Sequence, residues 1–247
     1  MPLFRVNGQL HFFAHVPKCA GSSVENYLRE RFGGLAFFDN YHTQTPLNTR
    51  WNNTSPQHID VASFHKLIPE SWITASFAVV RHPVKRVISA YHFQAEVEGK
   101  LQGDQSIDDW LATWIATADT NGFMYDNHLR RQTELVPDDA RVFYLEHGLG
   151  SVVGYLDGLA GNSDGPRSIL ADNTRKAGHK PALRLSDASL ALIADYYAAD
   201  FARFGYSLTD PMPKAAKDDS NQAPEAGATE VFVRRLKRKI ARKLGTY

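Results

Sequence analysis

Apolar positions along the first two hundred residues form short continuous runs separated by stripes at helical spacing. The run LHFFAHV at 10–16 is apolar and aromatic, which predicts a buried strand. A turn at Pro17 to Gly21 follows. SSVENYLRERF at 22–32 then carries Val24, Tyr27, Leu28 and Arg31 at helical spacing, with Ser22 or Ser23 as the cap. Residues 33–58 are rich in Gly, Asn, Thr, Pro and His and predict a long irregular loop, a length that goes with function in compact domains. The runs IDVASFH at 59–65 and TASFAVVR at 74–81 predict a second and a third strand. Pro83 suits the first turn of a helix reaching about Ala95, where its missing N–H is not needed. Residues 106–118 predict an amphipathic helix capped by Ser106, and 140–146 a further strand. A single helix is expected over 185–205, capped by Ser186 or Asp187 and ended by Gly205. Strands alternating with helices imply a mainly parallel sheet of about four or five strands, covered on both faces.

Composition narrows the classes. The chain has 247 residues, 43% hydrophobic and 22% charged, a globular profile. Its single cysteine, Cys19, excludes an intramolecular disulfide framework and a cysteine-based zinc site. No run approaches the roughly 18 apolar residues of a membrane span. The N-terminus lacks the apolar stretch of a signal peptide, so a cytoplasmic protein is expected. The net charge of +1 hides an asymmetry, because 231–247 carry seven basic side chains and no acid. The preceding 230 residues hold 21 basic and 27 acidic side chains. The organisation expected is a domain over 1–207, a polar linker over 208–230 and a basic amphipathic helix over 231–247. Val233, Leu236, Ile240 and Leu244 fall on one side of that helix, a pattern that fits a membrane surface or a protein partner. It lacks the interleaved aromatics of a nucleic-acid arm, so no nucleic acid is expected.

The most informative stretch is HVPKCAGSSVENYL at 15–28. A strand ends, Lys18 sits in the turn, and Gly21, Ser22 and Ser23 open a helix. The first N–H groups of a helix lack internal partners and point outward, and the helix dipole favours an anion there. Gly21 allows close backbone approach, the serines add hydroxyl donors, and Lys18 adds a point charge. Cys19 and Ala20 contribute as loop backbone. This is not a Walker A loop, since Lys18 precedes Gly21 and the earlier glycine is absent. Nor is it a cysteine-phosphatase loop, because CAGSSVE closes without an arginine. A second stretch, FAVVRHPVKRVISAY at 77–91, sets Arg81 at a strand end, where open α/β sheets bind ligands and an arginine grips phosphate bidentately. Ser89 follows about two turns into the next helix.

Together these stretches resemble the sulfotransferases that use 3′-phosphoadenosine 5′-phosphosulfate, with a loop of the form P-K-x-x-G-[ST]-S. Within them the chain looks similar to the heparan sulfate 2-O-sulfotransferase-like group. The resemblance implies a P-loop-like three-layer α/β fold with a central, mainly parallel sheet flanked by helices. It implies that Lys18, Cys19, Ala20, Gly21, Ser22 and Ser23 hold the 5′ end of the co-substrate, and that Arg81 and Ser89 hold its 3′-phosphate. TNGFMYDNHLRRQTEL at 120–135 is similar to the family's D-N-x-x-x-R-Q segment through Asp126, Asn127, Arg131 and Gln132. Residues 173–206 are similar to its closing loop and last helix, which implies a cofactor contact from Arg175, Lys176 or His179.

The implied reaction is an in-line sulfuryl transfer to a hydroxyl of a carbohydrate or glycolipid, releasing adenosine 3′,5′-bisphosphate and using no metal. It needs positive charge where the leaving oxygen develops negative charge, a role for Lys18. It also needs a base for the hydroxyl proton. Relatives place a catalytic histidine just upstream of the 3′-phosphate strand, so His65 is the expected base, with His15, His42, His58 and Glu25 as competitors. His11 and His15 share a strand face but lack a third metal ligand. Tyr41, His42, Arg50, Trp51 and His58 in the 33–58 loop are expected to help build the acceptor site. The alternatives are a nucleotide kinase or phosphatase using the same loop, or a non-catalytic bisphosphate-binding protein docked by its tail.

Overall fold

The computed structural model describes residues 2–101, 104–118, 120–121, 123–172, 183–210 and 227–243. The expectations for Arg175, Lys176, His179 and Leu244, and most of the 208–230 linker, lie outside the described residues.

Four strands form one sheet in the order β1-β2-β3-β4. β1 (Leu3–Val6) runs antiparallel to β2 (Gln9–Ala14) across a two-residue turn. Asn7 and Gly8 both take positive φ there, 51° and 79°, as the twist of a tight hairpin requires. β2 leads into α1 (Gly21–Phe32), a short α2 (Val61–His65) follows, and β3 (Ile73–Val80) lies parallel to β2. α3 (Pro83–Glu96) and α4 (Ile107–Thr117) precede β4 (Arg141–Tyr144), which lies parallel to β3. The chain ends in α5 (Gly150–Ala160), α6 (Asp187–Tyr196), α7 (Ala198–Phe204) and α8 (Ala228–Lys243). This is the mixed α/β architecture expected, a mostly parallel sheet flanked by helices.

Aromatic packing ties helices to both faces of the sheet. Phe4 packs on Phe32 of α1, and Phe77 meets Phe13 and Tyr155 of α5. Phe12, which alternates to the other face, stacks on Phe64 of α2 with ring centroids 4.3 Å apart. A second apolar cluster joins α3, α4 and α6 through Val87, Trp110, Leu111, Trp114 and Ile193. The parallel strands β2 and β3 both end at the turns that lead into α1 and α3, so the two anion-directed stretches open on one edge of the sheet.

Three expectations change. The 59–65 run is helical, not a strand, because Asp60 caps it. Its side chain accepts the Ser63 N–H at 2.9 Å, and only Phe64 of α2 is buried, against the sheet. The single helix expected over 185–205 breaks at Tyr197, whose buried hydroxyl donates to the Leu129 carbonyl at 2.6 Å and fixes a non-helical ψ of 21°. Its ends are as expected, with Ser186 capping and Gly205 in the left-handed region. The tail helix starts at Ala228, inside the segment expected to be linker.

Candidate active site

The turn between β2 and α1 is built to leave backbone donors free. Lys18 and Ala20 take left-handed φ of 67° and 63°, a conformation that costs non-glycine residues energy and persists where surrounding structure enforces it. Ala20 occupies the N-cap position without a side-chain cap. Its carbonyl accepts the N–H groups of Ser23 and Val24. The N–H groups of Ala20, Gly21 and Ser22 find no acceptor among the described residues, and they sit at the positive end of α1. The Cys19 N–H instead closes back on the Val16 carbonyl at 3.3 Å. Of the loop donors expected, Cys19 is therefore spent on the turn itself. Its thiol is buried, which pushes it up to about 12 and leaves no thiolate for phosphatase chemistry.

The two serines diverge. The Ser23 hydroxyl is buried and accepts the Asp172 N–H at 2.9 Å, while Asn26 donates to the Asp172 carboxylate at 2.7 Å. Ser22 is half-buried, and its hydroxyl has no partner among the described residues. Lys18 lies 3.8 Å from the centroid of the Phe93 ring. Burial, then the neighbouring Arg81, lower its pKa to about 8.

Arg81 is tied into the same turn. Its guanidinium donates to the Lys18 carbonyl at 3.2 Å, so the two expected anion contacts meet directly. Gln132 brackets the Arg81 backbone, accepting its N–H at 3.0 Å and donating to its carbonyl at 2.9 Å. Asp200 holds Gln132 in turn by accepting the N–H groups of Gln132 and Thr133, each at 2.8 Å. Ser89 is half-buried on α3. Arg86, which the sequence reading passed over, is fully buried on α3. It donates to the carbonyls of Pro17, His128 and Arg130 at 3.1, 3.0 and 2.7 Å. It thereby clamps the loop, α3 and the 126–132 segment together. The available signal was its place beside Val87 and Ala90, on the buried face of a helix.

A histidine cluster borders the loop. His15 lies against Gly21 and bonds Glu25 at 2.5 Å, both side chains buried. Burial lowers the His15 pKa against the pull of Glu25. The His58 ring meets His15 edge-on at 4.6 Å between centroids and lies 5.2 Å from His128. His128 in turn packs on Phe93, the ring that carries Lys18. His58 Nδ1 bonds Asp126 at 2.7 Å, and Ser55 donates its N–H and hydroxyl to the same carboxylate. Burial works against that charge, but His58 and the Ser55 N–H outweigh it and hold the carboxyl well below the usual range. Burial drives His128 far below its ordinary pKa, so it is neutral near pH 7. Asp126 is aimed by a strained turn in which Tyr125, Asp126 and Asn127 all have positive φ. The buried Asn127 anchors that turn by donating to the His58 carbonyl at 2.7 Å.

His58, Asp126 and His128 bring their ligand atoms within 4.8 Å of one another. The Nδ1 of His58 and one Asp126 oxygen are already bonded to each other, and His128 Nδ1 meets the Gln94 amide at 3.1 Å. The arrangement is that of an oriented acid–base pair. His65 ends α2 instead of a strand. Its ring packs on Phe64, and its buried Nδ1 has no partner among the described residues. In the 33–58 loop, Arg50 folds back onto the Thr43 and Thr45 carbonyls and His42 is buried. Tyr41 and Trp51 stay exposed.

A helix start with free donors, an adjoining lysine and arginine, and a carboxylate-held histidine thus lie close together at one edge of the α/β sheet. A profile of the sulfotransferase family matches residues 4–144, more than half of the chain, and the chain belongs to the sulfotransferase family. It is therefore a transferase of the sulfotransferase kind acting on a hydroxyl-bearing acceptor. No curated protein and no solved structure matches the chain. No helix among the described residues is long and apolar enough to cross a membrane.

Proposed function

We propose that the chain transfers a sulfuryl group from 3′-phosphoadenosine 5′-phosphosulfate to a hydroxyl of a carbohydrate or glycolipid, without a metal. The observation that carries this reading is the free N–H array of Ala20, Gly21 and Ser22 beside Lys18, bordered by the His58–Asp126 pair. The donor supplies the sulfuryl group and leaves as adenosine 3′,5′-bisphosphate. Lys18, the three N–H groups and the Ser22 hydroxyl hold the 5′ end and neutralise charge on the leaving phosphate oxygen. Arg81 and Ser89 hold the 3′-phosphate.

For the proton we assign His58 in place of His65. The Asp126 carboxylate only accepts, so it fixes the proton on His58 Nδ1 and leaves Nε2 free to take the proton of the acceptor hydroxyl. As the acceptor oxygen bonds to sulfur and the sulfur–phosphate oxygen bond breaks, the imidazolium forms next to a carboxylate that stabilises it. His65 has no such orienting carboxylate among the described residues. Exposed Tyr41 and Trp51 offer ring faces to a sugar acceptor.

Sulfuryl transfer from labelled donor should fall by about 10²–10⁴ in His58→Ala. Calorimetric affinity for adenosine 3′,5′-bisphosphate should stay near that of the unmodified protein. His65→Ala should retain most turnover. The reverse ranking returns the base role to His65. A thermal shift with ATP and none with the bisphosphate would overturn the donor assignment. A screen of glycans, glycolipids and phenols as acceptors tests the substrate class.

A further inference from the structure

The tail helix sits on the body in an unexpected orientation. Two of its basic side chains, Arg234 and Arg238, face the body. Arg234 is buried, and its guanidinium donates to both carboxylate oxygens of Glu30 at 2.9 and 3.2 Å and to the Ser168 carbonyl at 2.7 Å. Arg238 reaches the same Glu30 at 3.3 Å, and Glu230 pairs with Arg234 one turn away. Residues 230, 234 and 238 recur every four positions and so form one face of α8, held against the last turn of α1. Phe232, Val233, Leu236 and Ile240 occupy the opposite face and are exposed by 67, 41, 48 and 50%. Two ion pairs thus hold the helix with its apolar stripe turned to solvent, the inverse of ordinary amphipathic packing.

We propose that this outward face docks on an anionic lipid surface. Exposed Arg235, Lys237, Lys239 and Lys243 surround the stripe, and the 231–247 segment contains no acid. Cations bordering a Phe/Leu/Ile stripe match the headgroup and acyl boundary of a membrane with negative lipids. A second copy of the chain fits less well, because stripe-to-stripe pairing would bring two strongly positive segments together. Four partly exposed side chains also fall short of the roughly 800 Å² per partner of a standard interface. Glu30 lies nine residues along α1 from Gly21, roughly 14 Å at 1.5 Å per residue, so docking leaves the Lys18 loop uncovered. The inference does not depend on the transfer reaction assigned above.

The test is flotation of the full chain with vesicles of phosphatidylcholine alone and with roughly one third phosphatidylserine. The protein should float with the phosphatidylserine vesicles and be released by high salt. The paired change Leu236→Asp and Ile240→Asp should cut partitioning by at least about tenfold. The thermal transition and bisphosphate affinity should be unchanged, which shows that the body is intact. Absence of partitioning, equal partitioning into both vesicles, or retention of binding by the double variant would overturn the proposal. So would a dimer in light scattering that this variant converts to monomer without any vesicle binding.

Discussion

The imidazole of His15 occupies the space that a side chain on Gly21 would need. Glycine at this position is required by packing against the His15 ring, whatever meets the loop from the other side. Gly21→Ala should therefore destabilise the fold by about 1–3 kcal/mol through overpacking. It should also push His15 off Glu25. Removing the ring should relieve the clash, so Gly21→Ala combined with His15→Ala should cost less than the two single changes added together. Urea unfolding of the four proteins measures this coupling, and strict additivity would dissociate the two residues.

Lys18 titrates where the function can be followed. Its pKa is lowered to about 8 by burial and by Arg81, so the free protein holds the ammonium below that pH and loses it above. An anion bound to Lys18 favours the charged form. Affinity for adenosine 3′,5′-bisphosphate should be nearly level from pH 7 to about 8 and then fall by up to tenfold per unit. Lys18→Ala should bind more weakly and lose this slope. A level profile up to pH 9.5, measured by calorimetry on the unmodified protein, would remove Lys18 from the anion contact.

The Asp126 carboxyl is held well below the ordinary range by His58 and the Ser55 N–H. A depressed carboxyl contributes stability above its unfolded value of about 3.9 and loses it as pH falls toward the folded value. The stability advantage over Asp126→Asn should be largest near neutral pH and shrink below about pH 4. The same variant should lose turnover, because an amide no longer fixes the His58 tautomer. Denaturant midpoints from acid to neutral pH and steady-state rates test both parts. A stability difference independent of pH would mean that the Asp126 carboxyl is not depressed in the folded protein.

The turn between β2 and α1 was legible because its signals are local: a strand, a turn with Lys18, then Gly-Ser-Ser at a helix start. Arg81 before Pro83 was legible for the same reason. The His58–Asp126 pair was not, since it joins residues 68 positions apart through a strained turn that no periodicity encodes. Two misses did carry local signals. Asn7-Gly8 between apolar residues marks the β1–β2 hairpin, and Val152, Val153 and Leu156 mark the buried side of α5. IDVASFH reads as a strand when only its apolar residues are counted, but the Asp60 cap decides for a helix. The spacing of apolar residues in the tail is local, whereas the side it turns to the body depends on Glu30, two hundred residues away.

Arg86 is a buried cation whose Nε and Nη2 donate to three carbonyls, which makes it a clamp on the loop. Hydrogen bonds to charged groups contribute about 1.5–3 kcal/mol each, and stranded carbonyls add a desolvation cost. Arg86→Ala should cost at least about 3 kcal/mol or prevent folding. Arg86→Lys keeps the charge but cannot span all three carbonyls. It should fold with a lower melting temperature and bind the bisphosphate more weakly, although the side chain itself is not placed on the anion. A lysine variant with unaltered stability and affinity would refute the clamp.

Ser22 and Ser23 are adjacent and chemically identical, yet the fold gives them different work. Ser23 is buried and accepts the Asp172 N–H, so its loss should act on stability. The expected cost of Ser23→Ala is about 1 kcal/mol, with a smaller effect on bisphosphate affinity. Ser22 sits at the open start of α1 with its hydroxyl free to meet an anion. Ser22→Ala should leave the melting temperature nearly unchanged and weaken binding by about tenfold, the value of one hydrogen bond to a charged group. Calorimetry and thermal unfolding on both variants separate the two roles. If Ser23→Ala lowers affinity more than Ser22→Ala at equal stability, the anion lies deeper in the turn than the free N–H groups of Ala20, Gly21 and Ser22 indicate.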